Sequence, residues 1–257
     1  MDYNYHTHTY RCHHASDTPE EYILRAIDNG IKYMGFSDHI PFVFPNGHNS
    51  GYRIDPSEAA DYMEEITLLR EKYRDKIEIK IGFEMEYYPE YFDEMLSVAK
   101  QYNAEYLLLG QHFIFNGEYD GIHPTVRPNE DINSLEEFTS NIVDAIKSGV
   151  FTYVAHPDIF NFTGDSNAYR QSIKRICQAS KECNVPIEIN FLGIRDRRHY
   201  PREKFWQTVG ETDAPVTFGF DAHDKMSAYD GESLKVAKEM VQKHNLNYIG
   251  KPKIVLL

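Results

Sequence analysis

Thiols are scarce in this 257-residue chain: its three cysteines, Cys12, Cys177 and Cys183, form no Cys-x-x-Cys pair. That argues against a disulfide scaffold and against a closed thiolate zinc site, and reduced thiols in the cytoplasm are the expected state. Basic side chains are also in deficit, 27 Lys and Arg against 40 Asp and Glu, for a net charge of −13. Nucleic-acid surfaces are normally basic footprints, so no nucleic-acid partner is expected. No apolar run approaches the roughly 20 residues that cross a bilayer. The opening Met-Asp-Tyr-Asn-Tyr-His has neither the basic nor the apolar region of a secretory leader. The expectation is a cytoplasmic protein with no membrane partner. Gly and Pro are moderate at 15 and 12 residues and aromatics reach 14%, which excludes collagen, coiled coil and disorder. Low-complexity tracts, linkers and fixed-period repeats are missing too, so residues 1–257 read as one domain.

What is present is an alternation of short strand-like runs with helical stretches, the pattern of βα units around a parallel sheet. Strands are expected at 2–6, 33–37, 77–83, 106–110, 153–155, 186–189 and 216–219. The first helix opens at Thr18-Pro19-Glu20-Glu21, with Thr18 as N-cap, Pro19 at the first helical position and Glu21 completing a capping box, and stops at Asn29-Gly30. Further helices are expected at 56–73, 90–101, 134–148, 167–183, 201–210 and 229–244. Seven strands and seven helices suit a slightly short, TIM-like barrel of the α/β class. An open doubly wound sheet has the same periodicity.

The position of the polar residues separates the two. The seven strand ends carry, in order, His6 and His8; Asp38-His39; Glu84 and Glu86; Gln111-His112; His156-Pro157-Asp158; Glu188 and Asn190; and Asp221 with His223. In a closed barrel those carboxyl ends converge on one rim, where active sites of such folds sit. In an open sheet they would be strung over about 30 Å at ~4.8 Å per strand, too far apart for one site. The barrel is therefore expected.

Residues two apart in a strand point the same way, so His6 and His8 aim at one point, as do Asp221 and His223. A lone His-x-His, or a lone Asp beside Pro, means little, since Pro and Asp populate turns for backbone reasons. Seven successive strand ends describe a polynuclear metal centre instead. Imidazole and carboxylate without thiolate suit Zn²⁺, Mn²⁺ or Fe²⁺, and Glu84 can bridge two ions about 3.5–4 Å apart. His48, His123, His199 and His244 fall outside the pattern and read as loop or surface residues, and Cys12 as packing. Two loops, 42–52 and 116–129, have the length of lids.

With these residues in view, the chain resembles the polymerase-and-histidinol-phosphatase (PHP) superfamily, and within it the monofunctional histidinol-phosphate phosphatases. The resemblance runs nearly end to end. It is carried by His-Thr-His-Thr at 6–9, Cys-His-His-Ala at 12–15, Ser-Asp-His-Ile-Pro at 37–41, Gly-Phe-Glu at 82–84, Gly-Gln-His at 110–112, Ala-His-Pro-Asp at 155–158, Asn190 with Gly193-Ile194-Arg195, and Phe-Asp-Ala-His at 220–223. It implies a distorted (β/α)7 barrel with three divalent ions. One would take His6, His8, Glu84 and Asp221. A second would share Glu84 and add His112 and His156, and a third would take His14, His39 and His223. The family commonly has Gly where this chain has His13. His13, His14 and Asp17 therefore compete for one ligand position, and His14, which precedes Ala15, is favoured. Arg195 fits the phosphate-binding position of the motif, and Arg197 faces the same way if the backbone there is extended.

The reaction so implied is hydrolysis of L-histidinol phosphate in histidine biosynthesis, by attack of a metal-bridging hydroxide on a phosphate monoester. Asp17 and His13 are the candidates to protonate the leaving alkoxide. The same site would serve another small-molecule phosphate monoester, a small nucleotide, a phosphotyrosine protein or a DNA end, the last disfavoured by the charge. A catalytically idle metal-binding scaffold is the reading from a different class.

Overall fold

Alternation within the strands sorts side chains between two environments. In the computed structural model, which describes residues 1–115 and 124–257, the eight described strands are all parallel and lie side by side in chain order. They are β1 (Tyr3–Asn4), β2 (Tyr33–His39), β3 (Glu78–Met85), β4 (Tyr106–Leu109), β5 (Phe151–Val154), β6 (Ile187–Asn190), β7 (Pro215–Gly219) and β8 (Asn247–Tyr248). Ile79, Ile81, Phe83 and Met85 of β3, and Ile187 and Ile189 of β6, join the main apolar core. The period of two then turns Glu84, Glu188 and Asn190 to the opposite face, inside the curl of the sheet. In β4 the division is Leu107 and Leu109 outward against Tyr106 and Leu108 inward, the latter pair packing with Tyr3, Tyr5 and Tyr153 to fill the interior.

Closure takes place at the strand ends that carry the polar residues. β7 begins against β8, with Pro215 opposite Asn247, but finishes against the chain leaving β1. There Thr7 bridges Ala222, His8 N–H donates to Ala222 O at 2.9 Å, and Ala222 N–H donates to His6 O at 3.2 Å. Lower in the same seam side chains replace the ladder. Tyr3 Oη lies 2.9 Å from Thr217 Oγ1 and accepts from Phe218 N–H, and Asn4 Oδ1 accepts from Phe220 N–H at 3.1 Å. The barrel is therefore present in distorted form, curled so that its first and seventh strands meet at one rim. The eighth strand was not expected: Asn-Tyr is too short to carry a periodic signal.

Helices pack outside: α1 (Pro19–Asp28), α2 (Ala59–Tyr73), α3 (Phe92–Gln101), α4 (Ile132–Ser148), α5 (Ser166–Cys183), α6 (Phe191–Arg195), α7 (Glu203–Gly210) and α8 (Gly231–His244). The capping box of α1 forms as expected, Glu21 N–H to Thr18 Oγ1 and Thr18 N–H to Glu21 Oε2. The five-residue α6 was not anticipated. It starts directly from β6 because Asn190 Oδ1 accepts Gly193 N–H at 3.0 Å. Of the two long loops, residues 116–123, His123 among them, lie outside the described residues. No helix among the described residues is long and apolar enough to cross a membrane.

Candidate metal centre

The strand ends bring His6, His8, His14, His39, Glu84, His112, His156, Asp221 and His223 into one cluster. Most of them line a cavity of about 630 Å³ that opens to solvent. His6, His8, His39, Glu84, His156 and Asp221 are buried, and His14 stands at the rim with part of its side chain open to solvent and its ring packed against His8 and His223.

Four atoms at the bottom of the cluster have unusual company. His6 Nε2, His8 Nε2, Glu84 Oε2 and Asp221 Oδ1 are buried with no hydrogen-bond partner. His6 Nε2 is 3.6 Å from Glu84 Oε2 and 3.5 Å from Asp221 Oδ1; His8 Nε2 is 3.4 Å from each of the same oxygens. Buried polar atoms normally find partners, and a group of four without them needs an explanation. A tetrahedral ion with ligand bonds of about 2.0–2.2 Å separates its ligands by about 3.3–3.6 Å. The donor set and its spacing fit a divalent cation.

Glu84 divides its carboxylate. Oε2 faces His6, His8 and also His39 Nδ1 at 3.3 Å; Oε1 faces His156 Nε2 at 2.9 Å and His112 Nε2 at 3.5 Å. Gly110 makes room for this, since a Cβ there would overlap Glu84 Oε1. On the far side His14 and His223 place their Nε2 atoms 3.0 Å apart. His39 is grouped with His8 and His223, its ring 4.5 Å from that of His8 and 5.4 Å from that of His14. It therefore stands between the third group and the first.

Electrostatics separates the cluster into two kinds of imidazole. Burial works against charge on His6 and His8, but the nearby carboxylates of Asp221, Glu188 and Glu84 around His6, and of Asp221, Asp38 and Glu84 around His8, raise both. Burial would also raise Glu84 and Asp221, yet the surrounding histidines hold both carboxyls well below their usual range. His14 goes the other way, down to about 4, through burial and the neighbouring charges of His223 and His8; His39 and His223 are lowered for similar reasons. Three neutral imidazoles, ready as ligands, thus flank two anionic carboxylates.

Most Nδ1 atoms in the cluster are held from behind. Glu188 Oε1 lies 2.9 Å from His6 Nδ1, Asp38 Oδ1 lies 3.3 Å from His8 Nδ1, and Glu86 Oε1 lies 2.6 Å from His112 Nδ1. The carbonyl of Cys12 accepts from His14 Nδ1 at 2.7 Å. Such partners select the tautomer whose Nε2 lone pair points at an ion. The strand-end pattern already contained Asp38, Glu86 and Glu188, but the sequence reading assigned them no site role. Their signal was the carboxylate two residues from, or adjacent to, another strand-end residue. Cys12, read as packing, is fully buried with its thiol within 4.8 Å of ligand atoms of His14 and His223; burial raises it above the usual thiol range.

The remaining expected residues are dispersed. Arg195 lines the cavity and donates to Phe220 O at 3.4 Å, Asp221 O at 3.2 Å and Asp230 Oδ2 at 3.3 Å. Arg197 does not line the cavity. The backbone there is not extended: it leaves α6 and turns at Arg197 with φ 52°, which sends this side chain to a separate groove beside Met226. Arg198 lines the cavity in its place, donating to Tyr200 Oη at 3.2 Å and Asp196 Oδ2 at 3.1 Å. His13 has φ 63°, the left-handed conformation that glycine adopts without cost, and its side chain is exposed. Asp17 is engaged by Lys225, whose N–H donates at 3.1 Å and whose Nζ lies 3.3 Å away. Neither His13 nor Asp17 lines the cavity, although their neighbours His14 and Ser16 do.

A family model described as the PHP domain matches residues 4–191. A histidinol-phosphatase of Bacillus subtilis is 30% identical over 249 residues, covering 85% of this chain and 92% of the relative. A probable histidinol-phosphatase of Deinococcus radiodurans is 22% identical over 222 residues, 85% of each chain. Among solved structures, the histidinol phosphate phosphatase of Lactococcus lactis complexed with zinc, L-histidinol and phosphate is similar at a TM-score of 0.70 and 20% identity, covering 96% of this chain and 95% of that one.

Proposed function

This chain belongs to the PHP domain family, and from that membership and the cluster at its rim we propose that it is a histidinol-phosphatase, hydrolysing L-histidinol phosphate to L-histidinol and phosphate in histidine biosynthesis. The observation that carries the reading is the set of four buried, unpartnered ligand atoms on His6, His8, Glu84 and Asp221, next to a cavity that two arginines also line. The named relatives support the substrate, and the zinc in the Lactococcus lactis structure supports the class of metal.

Three divalent ions, zinc, manganese or iron, would be held by His6, His8, Glu84 and Asp221, by Glu84, His112 and His156, and by His14, His39 and His223. Ions bound there supply positive charge for phosphoryl oxygens and make water acidic enough to act near neutral pH. The chain does the rest. Glu84 ties the first two positions together through its separate oxygens. Arg195 and Arg198 offer guanidinium forks, which match phosphate geometry and meet the charge that grows on the equatorial oxygens. Hydrogen bonds to the Phe220 and Asp221 carbonyls brace Arg195, and Tyr200 and Asp196 brace Arg198. Phe113, Ile159 and Leu192 provide an apolar wall for the organic part of the ester.

Steady-state assays on histidinol phosphate, p-nitrophenyl phosphate and a phosphotyrosine peptide test the substrate. The expected specificity constant for histidinol phosphate is roughly 100-fold above the others. Activity should vanish on chelation and return with zinc or manganese. Equal constants for the three esters would defeat the substrate assignment, and full activity in protein shown by elemental analysis to be metal-free would defeat the metal centre.

A further inference from the structure

We propose that Glu188 is a positioning residue that holds His6 in the tautomer able to bind an ion and links it to His156 and Asp221 across three strands. The inference rests on the metal-centre reading above. Glu188 lies on β6, fully buried, and among the described residues no Arg or Lys reaches it; its one ion-pair partner is His6. A buried carboxylate without a fixed cation is costly unless hydrogen bonds and nearby positive charge compensate it.

All the donors around it are accounted for. Glu188 Oε1 is 2.9 Å from His6 Nδ1. Oε2 accepts the backbone N–H of His156 at 3.0 Å and the side-chain amide of Asn190 at 2.9 Å. The same amide nitrogen donates to Asp221 Oδ2 at 3.0 Å, while Asn190 Oδ1 is committed to Gly193 N–H. One carboxylate and one amide thus fix side chains or backbone at three proposed ligands. A carboxylate can only accept, so Glu188 keeps a proton on His6 Nδ1, and with an ion bound it is Nε2, facing Glu84 and Asp221, that gives up its proton to act as the ligand. His156 gains in another way. Its φ of 30° is a conformation that needs outside support, and its N–H is what Glu188 grips.

A second feature points to the same carboxylate. Gly219 sits opposite Asn190 in the register of β6 and β7, and a Cβ on it would overlap Glu188 Oε1. The glycine in β7 is therefore the space the carboxylate occupies. Glutamine cannot replace it: three donors converge on two accepting oxygens, and an amide offers one. Its NH₂ would face either Nδ1–H of His6, driving the ring to the other tautomer, or the N–H groups of His156 and Asn190.

The test uses the full chain with Glu188→Gln and, separately, Gly219→Ala, which keeps the carboxylate but displaces it. Zinc affinity is measured by competition with a chromophoric chelator, and ring nitrogens are observed by NMR of ¹⁵N-histidine protein loaded with zinc. In the unsubstituted protein His6 should show a protonated Nδ1 and a zinc-bound Nε2. Both variants should lose that signature and bind zinc about 10- to 100-fold more weakly. Unchanged affinity with an unchanged His6 signature in Glu188→Gln would overturn the proposal, as would a bare Nδ1 on His6 in the unsubstituted protein, a result that needs no variant to fold. Failure of the unsubstituted protein to take up zinc would instead overturn the metal centre itself.

Discussion

His112 Nδ1 lies 2.6 Å from Glu86 Oε1, so two glutamates spaced two apart on one strand end have different tasks: Glu84 faces into the cluster and Glu86 stands behind it. Glu86 also accepts from Tyr52 Oη at 3.2 Å and pairs with the buried Arg53, which donates in turn to Ile40 O. Glu86→Gln leaves a buried guanidinium facing a neutral amide. Urea denaturation of the chelated protein should show a loss of about 3 kcal/mol. A change below the error of the extrapolation would mean that the pair contributes nothing to the fold.

Gly110→Ala tests the space beside Glu84. A methyl group there competes with Oε1, the oxygen that faces His112 and His156. The variant should keep its far-ultraviolet circular dichroism, bind less than the unsubstituted complement of zinc by elemental analysis, and lose roughly 100-fold in kcat. Full metal content with normal turnover would show that the carboxylate needs no such room.

The two arginines beyond α6 should behave differently. Arg198 lines the cavity, whereas Arg197 lies in a separate groove. Arg198→Ala should lower kcat/KM for the phosphate ester by roughly 10- to 100-fold, about 1.4–2.7 kcal/mol. Arg197→Ala should leave it within a factor of two or so, as expected of a surface change. Equal losses in both would place the phosphate elsewhere.

Asp158 predicts a pH dependence of stability. Burial pushes its carboxyl up to about 6, against hydrogen bonds from Arg202 N–H and Trp206 Nε1–H to Oδ2. The folded chain therefore prefers the protonated acid. The stability this confers is complete below about pH 4 and is lost as pH rises through 6. Asp158→Asn keeps an accepting oxygen and no charge, so in metal-free protein its stability relative to the unsubstituted chain should climb by roughly 3 kcal/mol between pH 4 and 8. A difference independent of pH, read by denaturation at several pH values, would sink this reading.

How much of this was legible beforehand depended on the distance over which each interaction acts. The helix signals are local: Thr18 and Glu21 sit three residues apart, and their capping box formed where the sequence placed it. Strands with a run of apolar residues were equally visible, while β8 and α6 were not. The first is two residues long, and the second depends on Asn190 capping a turn that no periodicity announces. Arg197 and Arg198 show the cost: extended backbone would have turned Arg197 alongside Arg195, and the left-handed turn at Arg197 brought Arg198 to the cavity instead.

Alone, the sequence determined the chemistry and the convergence. Strand ends bearing imidazole and carboxylate, with residues two apart facing one way, call for a barrel rim rich in ligands, because the period of a strand is set by covalent geometry. Only the tertiary structure decided which atoms meet. That Glu84 divides its oxygens between two groups of histidines, and that Glu188 reaches His6 from 182 residues away, depend on strand register and closure of the seam. Neither is encoded in any short stretch of chain. Both arise when the first and seventh strands are brought together.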